Sequence, residues 1–151
     1  MAYSGLYTIL NPQKYIGDTD KNRIKYLSLW ERNCMKFFDS SPSIIKWTAP
    51  TGNKSLKIPY ISPIDNKQHN YIPDFFVKVK TREGIEKKYL LEIKPSKQCE
   101  MPNLPKSGRK TRAYNERVKT YVINKAKWYF AEQWCQKFGY EFKILTEATI
   151  T

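Results

Sequence analysis

Apolar and polar positions alternate through the middle of this chain and fall into helical spacing on either side of it. From 44 to 94 the runs IIKWTAP, LKIPYISP, NYIPDFFVKVK and KKYLLEIKP carry the β-branched and aromatic residues that suit strands. Turn signals separate them: PTGN at 50–53, PIDNK at 63–67 and REG at 82–84. The pattern predicts roughly three or four strands in meander order. Upstream, in RIKYLSLWERNCMKFFDSSP, the residues Ile24, Leu27, Trp30, Cys34, Met35, Phe37 and Phe38 recur at helical spacing until Ser40, Ser41 and Pro42 end the run. A second helix is expected from about Glu116 to Lys137, stopped by Gly139, with YEFKILTE after it as a final strand.

Two stretches have no period. Residues 1–22 mix Gly, Pro, Asn and Asp and read as an N-terminal arm or loop. Residues 95–115, PSKQCEMPNLPKSGRKTRAYN, hold three prolines, one glycine and five basic residues, the composition of a long, mobile, cationic loop. No repeat or low-complexity tract interrupts the chain. The whole, residues 1–151, reads as a single α/β domain: a mixed sheet of roughly four or five strands flanked by helices.

Charge narrows the choice of partners. The chain has 27 Lys and Arg against 14 Asp and Glu, a formal net charge of +13. Such a surplus aids solubility, but a field of this size also attracts polyanions, nucleic acid above all, with membrane surfaces and acidic proteins as other candidates. Three widely spaced cysteines without a CxxC pair, and a single histidine, speak against zinc fingers and disulfide frameworks. MAYSGLYTIL lacks a basic segment followed by a long apolar one, and no run approaches a membrane span, so a cytoplasmic protein is expected.

The candidate chemistry starts in YLLEIKPSK. Side chains alternate across a strand, so Leu90, Glu92 and Lys94 share one face and Leu91 and Ile93 the other. Two charges at the end of a mostly buried strand are tolerable only if they pair with each other or meet another charged species, such as a cation and a phosphate. Both readings stay open on this motif alone. Asp74 stands at the start of an aromatic run where aspartate is disfavoured; it is either a turn cap or, beside Glu92 on a neighbouring strand, half of the paired oxygen ligands that Mg²⁺ requires.

Glu31 projects into the apolar stripe of the first helix, between Ile24, Leu27 and Phe38, and is either paired with a buried Lys or Arg or aimed into the same site. On the second helix, Lys125 falls between Val118, Val122 and Tyr129, where it either snorkels or touches a phosphate. His69 lies in a turn, exposed, with a general-base role as the minor alternative. Together these parts fit Mg²⁺-dependent phosphodiester hydrolysis. Asp74 and Glu92 hold the ion, Glu31 completes the coordination or holds a water outside it, and Lys94 orients water or offsets charge. Lys97, Lys106, Arg109, Lys110 and Arg112 clamp the DNA backbone.

PD at 73–74 followed by EIK at 92–94, with the helical WE at 30–31, resembles the PD-(D/E)XK nuclease superfamily. YIPDFFV, LLEIKP and FKILTE are similar to the transposon end-cleaving endonucleases. MAYSG, YIGD at 15–18 and LWE extend the likeness along nearly the whole chain, where it resembles the head completion nucleases of contractile-tailed bacteriophages. The resemblance implies a restriction-endonuclease-like core, Mg²⁺ with Mn²⁺ as a substitute, and Glu31, Asp74, Glu92 and Lys94 as site residues. It further implies double-stranded DNA as substrate, partners among head, portal or neck proteins, and a place in the host cytoplasm during assembly and in the virion afterwards. The rival reading is a basic adaptor or plug that holds the DNA end at the head vertex without cutting it, for which Glu92 and Lys94 form a plain salt bridge.

Overall fold

The computed structural model describes residues 3–49 and 56–150. The turn expected at PTGN, 50–53, lies outside the described residues. A mixed four-stranded sheet, in the order β3 (Ile44–Thr48), β6 (Phe75–Lys80), β7 (Glu86–Ile93), β8 (Glu141–Leu145), forms the centre. The first three strands run antiparallel and β8 runs parallel to β7. A parallel neighbour needs a crossover, and α2 (Arg112–Phe138) supplies it. This is the α/β arrangement expected from the pattern, and the restriction-endonuclease-like core that the resemblance implies.

Alternation on β7 divides the core in two. Leu91 faces a cluster built from Met35, Phe38, Trp47, Phe75 and Val77, under α1 (Leu29–Ser40). Leu90, one residue earlier, faces Ile58, Tyr71, Trp128 and Ala131, under α2. Every second residue of the central strands therefore points to one helix or the other, and a charged residue at position 92 is committed to the α2 side.

The sequence pattern errs in three places. The helix expected from Arg23 onward begins at Leu29, because Ser28 caps it: the Ser28 hydroxyl accepts from Glu31 N–H at 3.1 Å. Arg23–Tyr26 is instead β2, paired antiparallel with β1 (Gly5–Thr8), so the supposed arm contains a strand. A strand of alternating RIKY and a helix start share the same apolar spacing over so short a run. Asp39, buried at the end of α1, anchors that segment by accepting from Tyr7 O–H at 2.6 Å and from Leu10 N–H at 2.7 Å.

The meander is also interrupted. NYIPDFFVKVK is two strands, not one, because Pro73 has no N–H to give a ladder. Its first part, β5 (Gln68–Tyr71), pairs only with β4 (Ile58–Ile61), forming a hairpin inserted between β3 and β6. The cationic loop is shorter than expected: Arg112 opens α2, with Thr111 as its cap, and a 3₁₀ turn spans Ser96–Cys99. Gly139 ends α2 in the left-handed conformation, φ 80°, as its position suggested.

Candidate active site

Antiparallel pairing sets Phe75 against Leu91, which brings Asp74, just before β6, beside Glu92 on β7. The break at Pro73 is what allows an aspartate here: Asp74 makes no ladder of its own, and its Oδ2 accepts from Ile93 N–H at 2.8 Å. Burial first, then the neighbouring Glu92 carboxyl group and its charge, push the Asp74 pKa up to about 8, against the pull of Ile93 N–H. Asp74 therefore keeps its proton into the neutral range beside a second carboxyl group.

Glu92 is only 7% exposed. Its Oε2 accepts from Tyr71 O–H at 2.7 Å and, at the long distance of 3.5 Å, from Trp128 Nε1–H. The first donor comes from the inserted hairpin and the second from α2. Burial and the adjacent Glu92 charge raise the Tyr71 pKa, so the hydroxyl keeps its proton and remains a donor.

Lys94 is half-buried at the end of β7, its backbone N–H bonded to Leu145 O at 3.0 Å. Among the described residues no ion pair joins it to Glu92, so the plain salt bridge weighed from the sequence does not form. Just beyond, Ser96 N–H reaches the Glu147 carboxylate at 3.1 Å and the Ser96 hydroxyl donates to it as well. The chain is thus tied down two residues after Lys94.

Glu31 takes a different place from the one its spacing suggested. Ile24 is on β2 and Leu27, 58% exposed, precedes the helix, so no apolar stripe surrounds the glutamate. Its Oε1 accepts from Leu27 N–H at 2.9 Å in a reciprocal cap with Ser28. It still lies near the pair, since its charge contributes to raising both Asp74 and Cys34. Among the described residues no group of three or more Asp, Glu, His or Cys forms a ready-made metal cluster. The structure brings Asp74 and Glu92 together and leaves Glu31 turned back on its own helix.

The outer residues also sort themselves. Lys97, Lys106, Arg109, Lys110 and Arg112 are all exposed, on the segment that leaves the end of β7 and enters α2. Lys125 is exposed, not on a buried arc: the buried stripe of α2 is Asn124, Trp128, Ala131 and Cys135, and Tyr129 points outward. His69 is exposed but on β5 rather than in a turn, 2.8 Å from Asp65 and stacked on Tyr60. Tyr71 and Trp128 escaped the sequence reading, since nothing local marks a tyrosine or tryptophan as the partner of a distant carboxylate.

Residues 41–147 match the model of the TnsA-like endonuclease N-terminal family. The chain belongs to that family. The matched span contains Asp74, Glu92 and Lys94, while Glu31 precedes it. The chain is also 35% identical over 150 residues to the head completion nuclease of Enterobacteria phage T4, covering 97% of this chain and 93% of that protein. Both resemblances seen in the sequence, to transposon endonucleases and to phage head completion nucleases, are borne out.

The donors of this site fit a hard divalent cation: a half-buried and a buried carboxyl group, Asp74 and Glu92, whose charges repel unless something positive stands between them. An apolar cavity of about 400 Å³ on the α1 side, lined by residues such as Phe37, Val77 and Leu91, offers no such donors.

Proposed function

We propose that this chain is a Mg²⁺-dependent deoxyribonuclease of phage head completion, one that cuts or trims packaged double-stranded DNA so that filled heads join tails. The observation that carries this reading is the meeting of Asp74 and Glu92 at the ends of paired strands, with Lys94 two residues further along the chain. A divalent cation at this pair would lower the pKa of a water and neutralise charge developing at phosphorus; Mn²⁺ has the same preference for oxygen ligands.

The chain's own residues supply the rest. Lys94 places an ammonium beside the scissile phosphate, where it orients water or offsets the added negative charge. Glu31 joins the site by releasing Leu27 N–H and turning its carboxylate toward Asp74. Lys97, Lys106, Arg109, Lys110 and Arg112 grip the DNA backbone next to the cut, and Lys125 adds an outlying phosphate contact on α2. A filled head implies contact with portal or neck proteins, action in the host cytoplasm and a place in the virion. Residues 1–151 act as one domain in this reading.

A non-cutting adaptor needs no buried carboxylate pair, which would only weaken it. Digestion of linear duplex DNA with Mg²⁺ or with EDTA separates the two. Cleavage by wild type in Mg²⁺, lost in EDTA and in Asp74→Ala and Lys94→Ala, supports the nuclease. Folded wild type that binds but never cuts DNA supports the adaptor.

A further inference from the structure

Glu92 is held on one side only. Both of its hydrogen-bonding neutral side chains, Tyr71 and Trp128, address Oε2. Asp74 is held in the same manner, with Ile93 N–H on Oδ2. Each carboxylate thus has one oxygen secured by the protein and a second one left to a ligand. A glutamate in a cavity has three side-chain torsions, and fixing a single oxygen at 2.7 Å removes most of that freedom.

The strength of this hold rests on an unusual location. Tyr71 is on β5, which is not a strand of the central sheet. The β4–β5 hairpin packs on α2 through Ile58, Tyr60 and Tyr71, all buried. Lys127 of α2 stands 5.9 Å from the centres of both the Tyr60 and the Tyr71 rings, bracing the tyrosine from outside. A hydroxyl that served only to satisfy a buried carboxylate would need no such bracing, since Trp128 already approaches the same oxygen.

We infer that Tyr71 is a positioning residue for Glu92, and that through it the inserted hairpin sets how tightly the site holds a divalent cation. The inference rests on the metal-dependent nuclease reading and deepens it. Tyr71 itself touches neither metal nor DNA; it acts by keeping Glu92 Oε1 turned toward Asp74.

The test is Mn²⁺ binding to the full-length protein, followed by electron paramagnetic resonance of the free ion, in wild type, Tyr71→Phe and Glu92→Gln. Tyr71→Phe deletes one oxygen atom and keeps the ring, so its near-ultraviolet circular dichroism should match wild type. Its Mn²⁺ affinity is expected to fall by about 10- to 100-fold, the usual cost of losing a group that orients a ligand. Cleavage should return to within about threefold of wild type once Mn²⁺ is raised to saturation, since only ion binding is impaired.

Tyr71→Phe that binds Mn²⁺ within about twofold of wild type overturns this inference alone. Wild type that binds no Mn²⁺, or binds it no better than Glu92→Gln, overturns the metal-site reading and this inference with it. The wild-type protein offers a second measurement that needs no variant. The resonance of the buried, hydrogen-bonded Tyr71 hydroxyl proton, followed by nuclear magnetic resonance, should move on Mg²⁺ addition, and an unmoved resonance at saturating Mg²⁺ overturns the inference.

Discussion

Asp74 stands beside Glu92 across adjacent antiparallel strands, and burial together with that neighbouring carboxyl group pushes Asp74 up to about 8. In the unfolded chain Asp74 titrates near 3.8. Below that value both states hold the proton and the pair costs nothing. Between about 4 and about 8 the folded state keeps a proton that the unfolded state has released, so stability falls as pH rises; above about 8 the loss is complete. Asp74→Asn abolishes this dependence. In EDTA, its melting temperature should exceed that of wild type by a margin that widens from pH 5 to pH 8, while cleavage in Mg²⁺ is lost. Each kcal/mol is worth about 2–4 °C in a chain of this size. A margin that stays constant with pH would count against the raised Asp74 pKa.

Glu31 caps α1 in the present arrangement, and the proposed function assigns it to the metal site as well. Glu31→Gln separates the roles, because glutamine still accepts from Leu27 N–H but carries no charge. Stability should change by less than about 1 kcal/mol, the scale of a cap contact. Cleavage should fall by about 10- to 100-fold. Undiminished cleavage would leave the glutamate as a cap alone.

The exposed cations after β7 should reveal themselves through salt. Each phosphate contact adds about 0.9 to the slope of log affinity against log salt. Replacing Lys106, Arg109 and Lys110 together by alanine should flatten the slope for duplex DNA by about 2–3 if all three touch phosphate. Fluorescence anisotropy at several salt concentrations measures it, and an unchanged slope would place the DNA elsewhere.

Asp39 gathers Tyr7 O–H at 2.6 Å, Leu10 N–H at 2.7 Å and Asn11 N–H at 3.0 Å, tying the N-terminal ribbon to the end of α1. Asp39→Ala strands these donors and should cost roughly 2–5 kcal/mol in urea unfolding. At a temperature where the variant is folded, cleavage should be near that of wild type, because these bonds lie on the α1 side, away from Glu92.

What was legible in the sequence was whatever short-range periodicity encodes. Alternation along YLLEIKPSK puts Leu90 and Glu92 on one face and Leu91 on the other, and the structure turns the first face to α2 and the second to α1. The disfavoured place of Asp74 is visible, but the strand break at Pro73 and the separate β4–β5 hairpin depend on pairing that no local pattern specifies. The first helix was drawn too long because Ile24 and Leu27 fit its period; the cap at Ser28 and Glu31 was the stronger signal, since it satisfies backbone donors that apolar spacing does not address. Lys125 was placed on a buried arc because valines and a tyrosine flank it, while the real stripe is set by packing against the hairpin and β8. Tyr71 and Trp128 reach Glu92 across 21 and 36 residues, a distance over which sequence reading has no rule.

The most direct measurement is a crystal structure of the full-length protein grown with Mn²⁺, with the ion located by its anomalous scattering. The account predicts a peak between Asp74 and Glu92, on the oxygens that Ile93 and Tyr71 leave free, with Lys94 facing it. A peak at another place, or none at saturating Mn²⁺, would contradict it.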